Sequence, residues 1–320
     1  MGEAGALPAG YPGRRMDLSI ETIATLSPAL VRRGLAAWIA HHWDAAGHEQ
    51  VVLEGRIQSL IDVATDSDII AMRGAFRAAG EGWQLFAANP LARGVTRTYM
   101  SALTQPWSLE GESRLLAFSS RPGRKLVVCN HLSYTDTQVT DAVLALAGHQ
   151  DFANRLVAIA GPKVYTEAWR RMASIALNTR KTAQSSAVAS EQDSMSPREL
   201  AVVAIETLRE CGRLMDEGYV VLLYPEGTRS RDTKLQPFLR AAARYLAIDG
   251  LSVLPLAQTG GERLFPIDAP RMYRGEVRLA FGEAFLPADH PGKTGALEEA
   301  HRRLNVELPR SYKGNGPAVG

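Results

Sequence analysis

The 320-residue sequence has only two cysteines, Cys129 and Cys211. Neither stands in a metal-ligand or redox spacing, which excludes a disulfide scaffold and a cysteine-based zinc site. A reducing, cytoplasmic setting fits that usage. There is no run of ~20 apolar residues, so no membrane-spanning helix is expected. Residues 1–15, rich in Gly, Ala and Pro, carry no apolar segment of the kind a secretory signal needs. A lipid substrate would then be met at the inner face of a membrane from outside the bilayer, or taken from a soluble carrier. Lysine is scarce, with six against thirty arginines. The net charge is only +2, so no global field draws the chain to nucleic acid, and no such partner is expected. What remains is ordinary for a globular protein: 46% hydrophobic and 22% charged residues, and enough length for a sizeable core.

The pattern divides the chain. Residues 1–16 read as disordered. Residues 17–105 read as a helical domain, with Leu30, Val31, Leu35, Trp38, Ile39 and Trp43 at helical spacing. Further helices are expected near 57–86, broken around 65–68, and over 92–103. His41 and His42 point to different sides of such a helix and read as a solvated or satisfied pair. From 106 to 309 the reading is α/β: a mixed, largely parallel sheet flanked by helices. Strands are expected at 125–129, 156–160, 219–224, 252–257 and 277–281. Helices are expected at 137–146, 164–177, 197–216, 236–248 and 295–306. Residues 178–196 read as a mobile loop and 310–320 as a flexible tail.

In such sheets sites lie beyond the carboxyl ends of strands. Three stretches fall there. The first is Asn130-His131-Leu132-Ser133-Tyr134-Thr135-Asp136, where an apolar strand stops at a polar turn. On a continuous helix, residues five apart diverge by about 140°. His131 and Asp136 can meet only if His131 lies in the turn ahead of the helix. Ser133 as N-cap and Asp136 as third helical residue, in a capping box, would give that turn. A histidine held by a carboxylate is a competent general base. The bland alternative is a capped helix beside a loop histidine.

The second stretch is Tyr224-Pro225-Glu226-Gly227-Thr228-Arg229-Ser230-Arg231. Here an apolar strand ends in a turn bearing an acid and two arginines. Glu226 suits a substrate hydroxyl, and Arg229 and Arg231 suit a phosphate. A solvated turn with an ion pair is the alternative. The third is Gly161-Pro162-Lys163, followed by Arg180 and Lys181. It offers further cations for an anion or, as the alternative, surface charge. The intervening helix, with Trp169, Arg170 and Arg171, would touch a membrane or pack on the sheet. Pro255 inside an apolar strand marks an edge or an opening.

Taken in this order, the blocks resemble the glycerophospholipid acyltransferases. His131 and Asp136 match that family's H-x-x-x-x-D motif. Residues Tyr224 to Ser230 match its F-P-E-G-T-R-S motif, with Tyr224 in place of Phe. Val253-Leu254-Pro255 is similar to its short apolar strand with proline. The likeness runs from about Lys125 to Ala257. It implies an O-acyltransferase fold and mechanism: His131, oriented by Asp136, takes the proton of an acceptor hydroxyl. The hydroxyl oxygen then attacks the thioester of acyl-CoA or acyl-carrier protein, the co-substrate, with neither metal nor cofactor. Backbone amides near the Pro225–Gly227 turn are the candidate oxyanion donors. The resemblance places Glu226, Gly227, Thr228 and Arg229 on a phosphate-bearing glycerol, with Arg180, Lys181 and Arg231 for the phosphate. A helical segment ahead of an α/β domain resembles plastid glycerol-3-phosphate enzymes, whereas the P-E-G-T-R-S block resembles lysophosphatidate enzymes. Two alternatives stay open. One is an acyltransferase for another acceptor, such as an ornithine lipid or a specialised metabolite. The other is a non-catalytic module that binds lipid or an acyl carrier.

Overall fold

Runs such as Leu126-Val127-Val128 and Val220-Val221-Leu222-Leu223 are too apolar to face water on either side. They form strands covered on both faces, as parallel strands are. The computed structural model describes residues 19–45, 47–183, 195–292 and 294–320. The expectation of disorder for 1–16, and most of the loop expected up to 196, lie outside the described residues.

Eight strands form one sheet among the described residues: β1 (Leu85–Phe86), β2 (Thr104–Glu110), β3 (Arg124–Cys129), β4 (Leu156–Ala160), β5 (Asn178–Lys181), β6 (Val220–Leu223), β7 (Leu251–Thr259) and β8 (Gly275–Phe281). Their spatial order is β1-β5-β4-β6-β3-β7-β8-β2. The pairs β5-β4, β4-β6, β6-β3 and β3-β7 are parallel. The outer pairs β1-β5 and β7-β8 are antiparallel, and β2 runs parallel to β8 at the edge. The expected mixed, largely parallel sheet is therefore present.

The helices are α1 (Ile20–Thr25), α2 (Pro28–His41), α3 (His48–Val63), α4 (Asp66–Ala78), α5 (Pro90–Leu103), α6 (Glu112–Ser120) and α7 (Asp136–Leu146). They continue with α8 (Gln150–Arg155), α9 (Ala168–Ile175), α10 (Pro197–Asp216), α11 (Ala243–Leu246), α12 (Gly261–Leu264) and α13 (Gly295–Glu307). Local chemistry sets their starts. Ser196 and Glu199 form a capping box at the head of α10, and Asn89 caps α5 ahead of Pro90.

Strand alternation sends Val127, Leu222 and Leu254 to one face of the sheet and Leu126, Val128 and Val221 to the other. The first face packs against α2, α3, α4, α5 and α7: Trp38, Ile57, Phe76 and Tyr99 lie in one cluster with the strand residues. The N-terminal helices thus form a layer on the sheet and share its core. The second face packs against α10, α11 and α13 through Cys211, Leu246 and Leu304.

Four expectations are corrected. Residues 178–181 are not loop but strand β5, buried throughout. Pro255 lies in an interior strand, paired with Val128 of β3 on one side. It is tolerated because the β7-β8 ladder begins only at Leu256, so its missing N–H breaks no rung. The helix expected over 236–248 is reduced to α11 and the 3₁₀ turn before it. The C-terminal tail is docked: Phe238 and Val319 form a β-bridge, and the Tyr312 hydroxyl donates to Glu262 at 2.6 Å.

Candidate active site

β3 ends at Cys129, and the side chain of Asn130 fixes the position of the turn. Its amide pairs with the backbone of Gln258, donating to the carbonyl at 2.9 Å and accepting the N–H at 2.8 Å. This extends the β3-β7 ladder by one side chain and starts the turn at a set height. Cys129 itself is buried, and burial pushes its thiol well above the ordinary range, so it is an inert core residue.

Asp136 is the first residue of α7 and is only 1% exposed. Its Oδ2 accepts from His131 Nδ1 at 2.9 Å, from the Leu132 N–H at 2.6 Å and from the Ser133 N–H at 2.9 Å. Its Oδ1 accepts from Gln258 Nε2 at 3.2 Å, and the Thr140 hydroxyl donates to Gln258 Oε1 at 3.0 Å. A carboxylate with this many donors has one orientation. The expected meeting of His131 and Asp136 is therefore present, but the expected cap is not. Thr135, not Ser133, is the N-cap, and the Ser133 hydroxyl turns to Thr135. Only half of the capping box survives, the acid reaching back to the Ser133 N–H. With Oδ2 accepting from Nδ1–H, the lone pair of the imidazole is on Nε2.

The loop after β6 grips the main chain of His131 at both ends. Glu226 Oε1 accepts the His131 N–H at 2.6 Å, and the Ser230 N–H donates to the His131 carbonyl at 2.8 Å. Glu226 Oε2 accepts the Gln236 N–H at 2.8 Å. Glu226 is 3% exposed, and burial drives its pKa up to about 8 although both N–H donors pull the other way. Both oxygens are engaged beneath the loop, so Glu226 does not face the cavity where a substrate hydroxyl was expected to meet it. Gly227 has φ 69° and lies against Leu239, a position that a side chain would clash with. Its N–H closes the turn onto the Tyr224 carbonyl at 3.1 Å, and Pro225 has no N–H. Neither is free as an oxyanion donor, which narrows the expectation for that turn to the N–H groups beside them.

The Tyr224 ring lies 4.6 Å from the His131 ring, and its hydroxyl is 2.9 Å from that of Thr137. Arg229 lies over the Tyr134 ring at 3.8 Å, with Arg170 at 4.6 Å from the same ring. Arg170 is itself paired with Glu167.

A cavity of about 920 Å³ opens here. It crosses the carboxyl ends of β3, β6, β4 and β5, and His131, Gly227, Thr228, Arg229 and Arg231 line it. Arg180 and Lys181 do not. Lys181 donates to the Gly80 carbonyl at 2.6 Å and lies 4.8 Å from the Trp83 ring. Arg180, on the opposite face of β5, donates to the Lys181 carbonyl and is 3% exposed. Both are held inside the fold, so the expected four-cation phosphate clamp is reduced to Arg229 and Arg231. Trp169 packs on Tyr99 and His42, which places α9 on the protein's own core. Gln258, the tie on Asp136, was not anticipated; nothing in the sequence near 258 links it to residue 136.

The fold and the dyad define a class: an α/β protein with a histidine, held by a buried carboxylate, lining a cavity at the carboxyl edge of its sheet. Comparison with known proteins shows what the chain is similar to. Residues 116–259 match the family model described as Acyltransferase. The chain is 34% identical over 112 residues to a 1-acyl-sn-glycerol-3-phosphate acyltransferase of Chlamydomonas reinhardtii, covering 35% of this chain and 33% of that protein. It is 33% identical over 76 residues to a chloroplastic 1-acyl-sn-glycerol-3-phosphate acyltransferase of Brassica napus, covering 23% and 22% respectively. These matches span about a third or less of the relatives' length. The crystal structure of the 1-acyl-sn-glycerophosphate acyltransferase PlsC from Thermotoga maritima aligns with a TM-score of 0.48 at 15% identity, covering 86% of this chain and 95% of that one. The segment matched by the family model is somewhat under half of this chain, and over it the chain is similar to the Acyltransferase family. Among the described residues no helix is long and apolar enough to cross a membrane.

Proposed function

We propose that the protein is an O-acyltransferase that moves a fatty acyl group from a thioester, acyl-CoA or acyl-carrier protein, to a hydroxyl of lysophosphatidate or glycerol 3-phosphate. The observation that carries this reading is the 2.9 Å bond from His131 Nδ1 to a fully buried Asp136, with the histidine lining the cavity. Lysophosphatidate is the acceptor to try first, because the relatives carry that substrate in their names.

The chemistry is set by the tautomer. The acceptor hydroxyl gives its proton to His131 Nε2, and Asp136 stabilises the imidazolium that forms. The oxygen attacks the thioester carbonyl, the C–S bond breaks, and the proton on Nε2 passes to the departing thiolate. A positioned base of this kind is worth ~10²–10⁴ in rate. Arg229, steadied by the Tyr134 ring, and Arg231 on the same loop hold the acceptor's phosphate. Glu226 acts as a positioning residue, through the backbone of His131.

A non-catalytic carrier-binding module would expect the dyad apart or shut off from any cavity, and the observed geometry favours catalysis over it. The test is a matrix of donors and acceptors read by mass spectrometry, with wild type beside His131→Ala. Acyl transfer to lysophosphatidate or glycerol 3-phosphate is expected with wild type and its loss with the variant. Turnover by His131→Ala at the wild-type rate would remove the general base.

A further inference from the structure

The cavity carries more positive charge than its acceptor needs. Four cations line it: Lys163, Arg229, Arg231 and Arg244. No described lining residue is Asp or Glu, and none of the four makes an ion pair among the described residues. A phosphate monoester brings at most about two negative charges at neutral pH. Roughly two positive charges are left over, and a bare acyl chain gives them nothing to pair with.

Their placement divides them. Arg229 and Arg231 share the loop after β6 that grips His131. Lys163 follows β4, in the turn that leads to α9. Arg244 stands on α11, across the sheet plane, beside Tyr245 in the cavity wall. The groove runs from His131 beyond β3, over β6 and β4, to Thr182 beyond β5. Three inter-strand spacings put its ends ~14 Å apart.

We propose that Lys163 and Arg244 form a second anion subsite, which binds the phosphodiester at the end of the donor's phosphopantetheine arm. The inference rests on the acyl-transfer reading. The reacting carbonyl has to sit at His131, and its sulfur is joined to an arm of two amide-linked segments that ends in a phosphate. That phosphate lies an arm's length from the dyad, so the groove's length is used. The cations clear of the His131 loop receive it. Coenzyme A and a carrier protein share this group, and the site recognises what they share.

The test measures binding of free coenzyme A and of holo-acyl-carrier protein by calorimetry, without acceptor. The proteins are wild type, Lys163→Gln, Arg244→Gln and the charge-keeping Lys163→Arg and Arg244→Lys. Each Gln variant is expected to raise the donor Kd about tenfold or more, the factor of a lost charge-assisted hydrogen bond. The charge-keeping variants should recover most of it, and melting temperatures will show that the fold is intact. Weakening with both ligands supports the shared phosphodiester, and weakening with one alone supports the site and names the source. In parallel kinetics the donor KM should rise while the acceptor KM stays. An unchanged donor Kd for both ligands, no donor binding by wild type, or a rise confined to the acceptor KM would overturn the subsite. Failure of the acyl-transfer reading looks different: no turnover with any acceptor, while coenzyme A binding is present and charge-dependent.

Discussion

Replacing Glu226 by Gln separates a buried brace from a substrate ligand. The carboxyl accepts two main-chain N–H groups, from His131 at 2.6 Å and Gln236 at 2.8 Å. A glutamine side chain has one oxygen and one NH₂, so one N–H is left facing a donor, whereas the hydroxyl oxygen of the protonated acid keeps a lone pair that can accept it. Leaving a buried donor unmatched costs about 1–3 kcal/mol. The acid carries a second effect, of opposite sign. Burial raises its pKa from 4.5 to about 8. Between those two pH values the unfolded chain binds fewer protons at this group than the folded one. Stability from Glu226 is therefore fully present below pH 4.5 and is lost as pH rises through 8. The shift corresponds to about 5 kcal/mol as an upper figure. At pH 5 wild type should be more stable than Glu226→Gln by about 1–3 kcal/mol. By pH 8 the gap should shrink and reverse, since glutamine does not titrate. Urea unfolding of both proteins at the two pH values reads this directly, because other titrations cancel in the difference. In kinetics the variant should lower kcat with the acceptor KM unmoved, as neither oxygen lines the cavity. A stability gap independent of pH, together with a raised acceptor KM, would refute the brace and restore Glu226 as a substrate ligand.

Two further outcomes rest on contacts at the dyad and the phosphate loop. Gly261→Ala puts a methyl group onto Asp136 Oδ1 and against the Gln258 amide. It should cost ~1–3 kcal/mol of stability and cut kcat while both KM values hold, and wild-type kcat in a well-folded variant would show that Asp136 tolerates movement. Arg229→Ala should raise the acceptor KM or lower kcat about tenfold or more, with donor KM constant; an acceptor dependence like that of wild type would remove Arg229 from the phosphate.

What could be read from the chain depended on how far apart the partners lie. His131 and Asp136 are five residues apart on a turn, so their meeting was a local question, and the answer was right even though the cap belongs to Thr135. Strands β3, β4 and β6 announced themselves as apolar runs between turns. Strand β5 did not: Asn178-Thr179-Arg180-Lys181 is polar, and its burial is made possible by partners such as Gly80, Leu156 and Tyr165 that only the folded sheet brings near. The same cause moved Arg180 and Lys181 from the expected phosphate clamp into the interior. Strand β2 was hidden by Gln105 and Pro106, which suit an edge but not a predicted strand. Glu226 was read as facing a ligand, and in the fold both its oxygens face backbone N–H groups. An acid in a turn can face a ligand or a backbone, and the Gln236 N–H that decides the matter lies beyond the block. Gln258 had no signal at all, because its link to Asp136 spans 122 positions.

The grip of the β6 loop on His131 also bears on when the dyad is seated. The dyad is adjacent in sequence, but the bond that seats its histidine joins residues 95 positions apart. Contacts of that separation form late, since a long stretch of chain must be ordered before they are rewarded. A ribosome that has released residue 136 has produced both members of the dyad and no working site. The site forms only after Gln236 has emerged and its N–H has found Glu226.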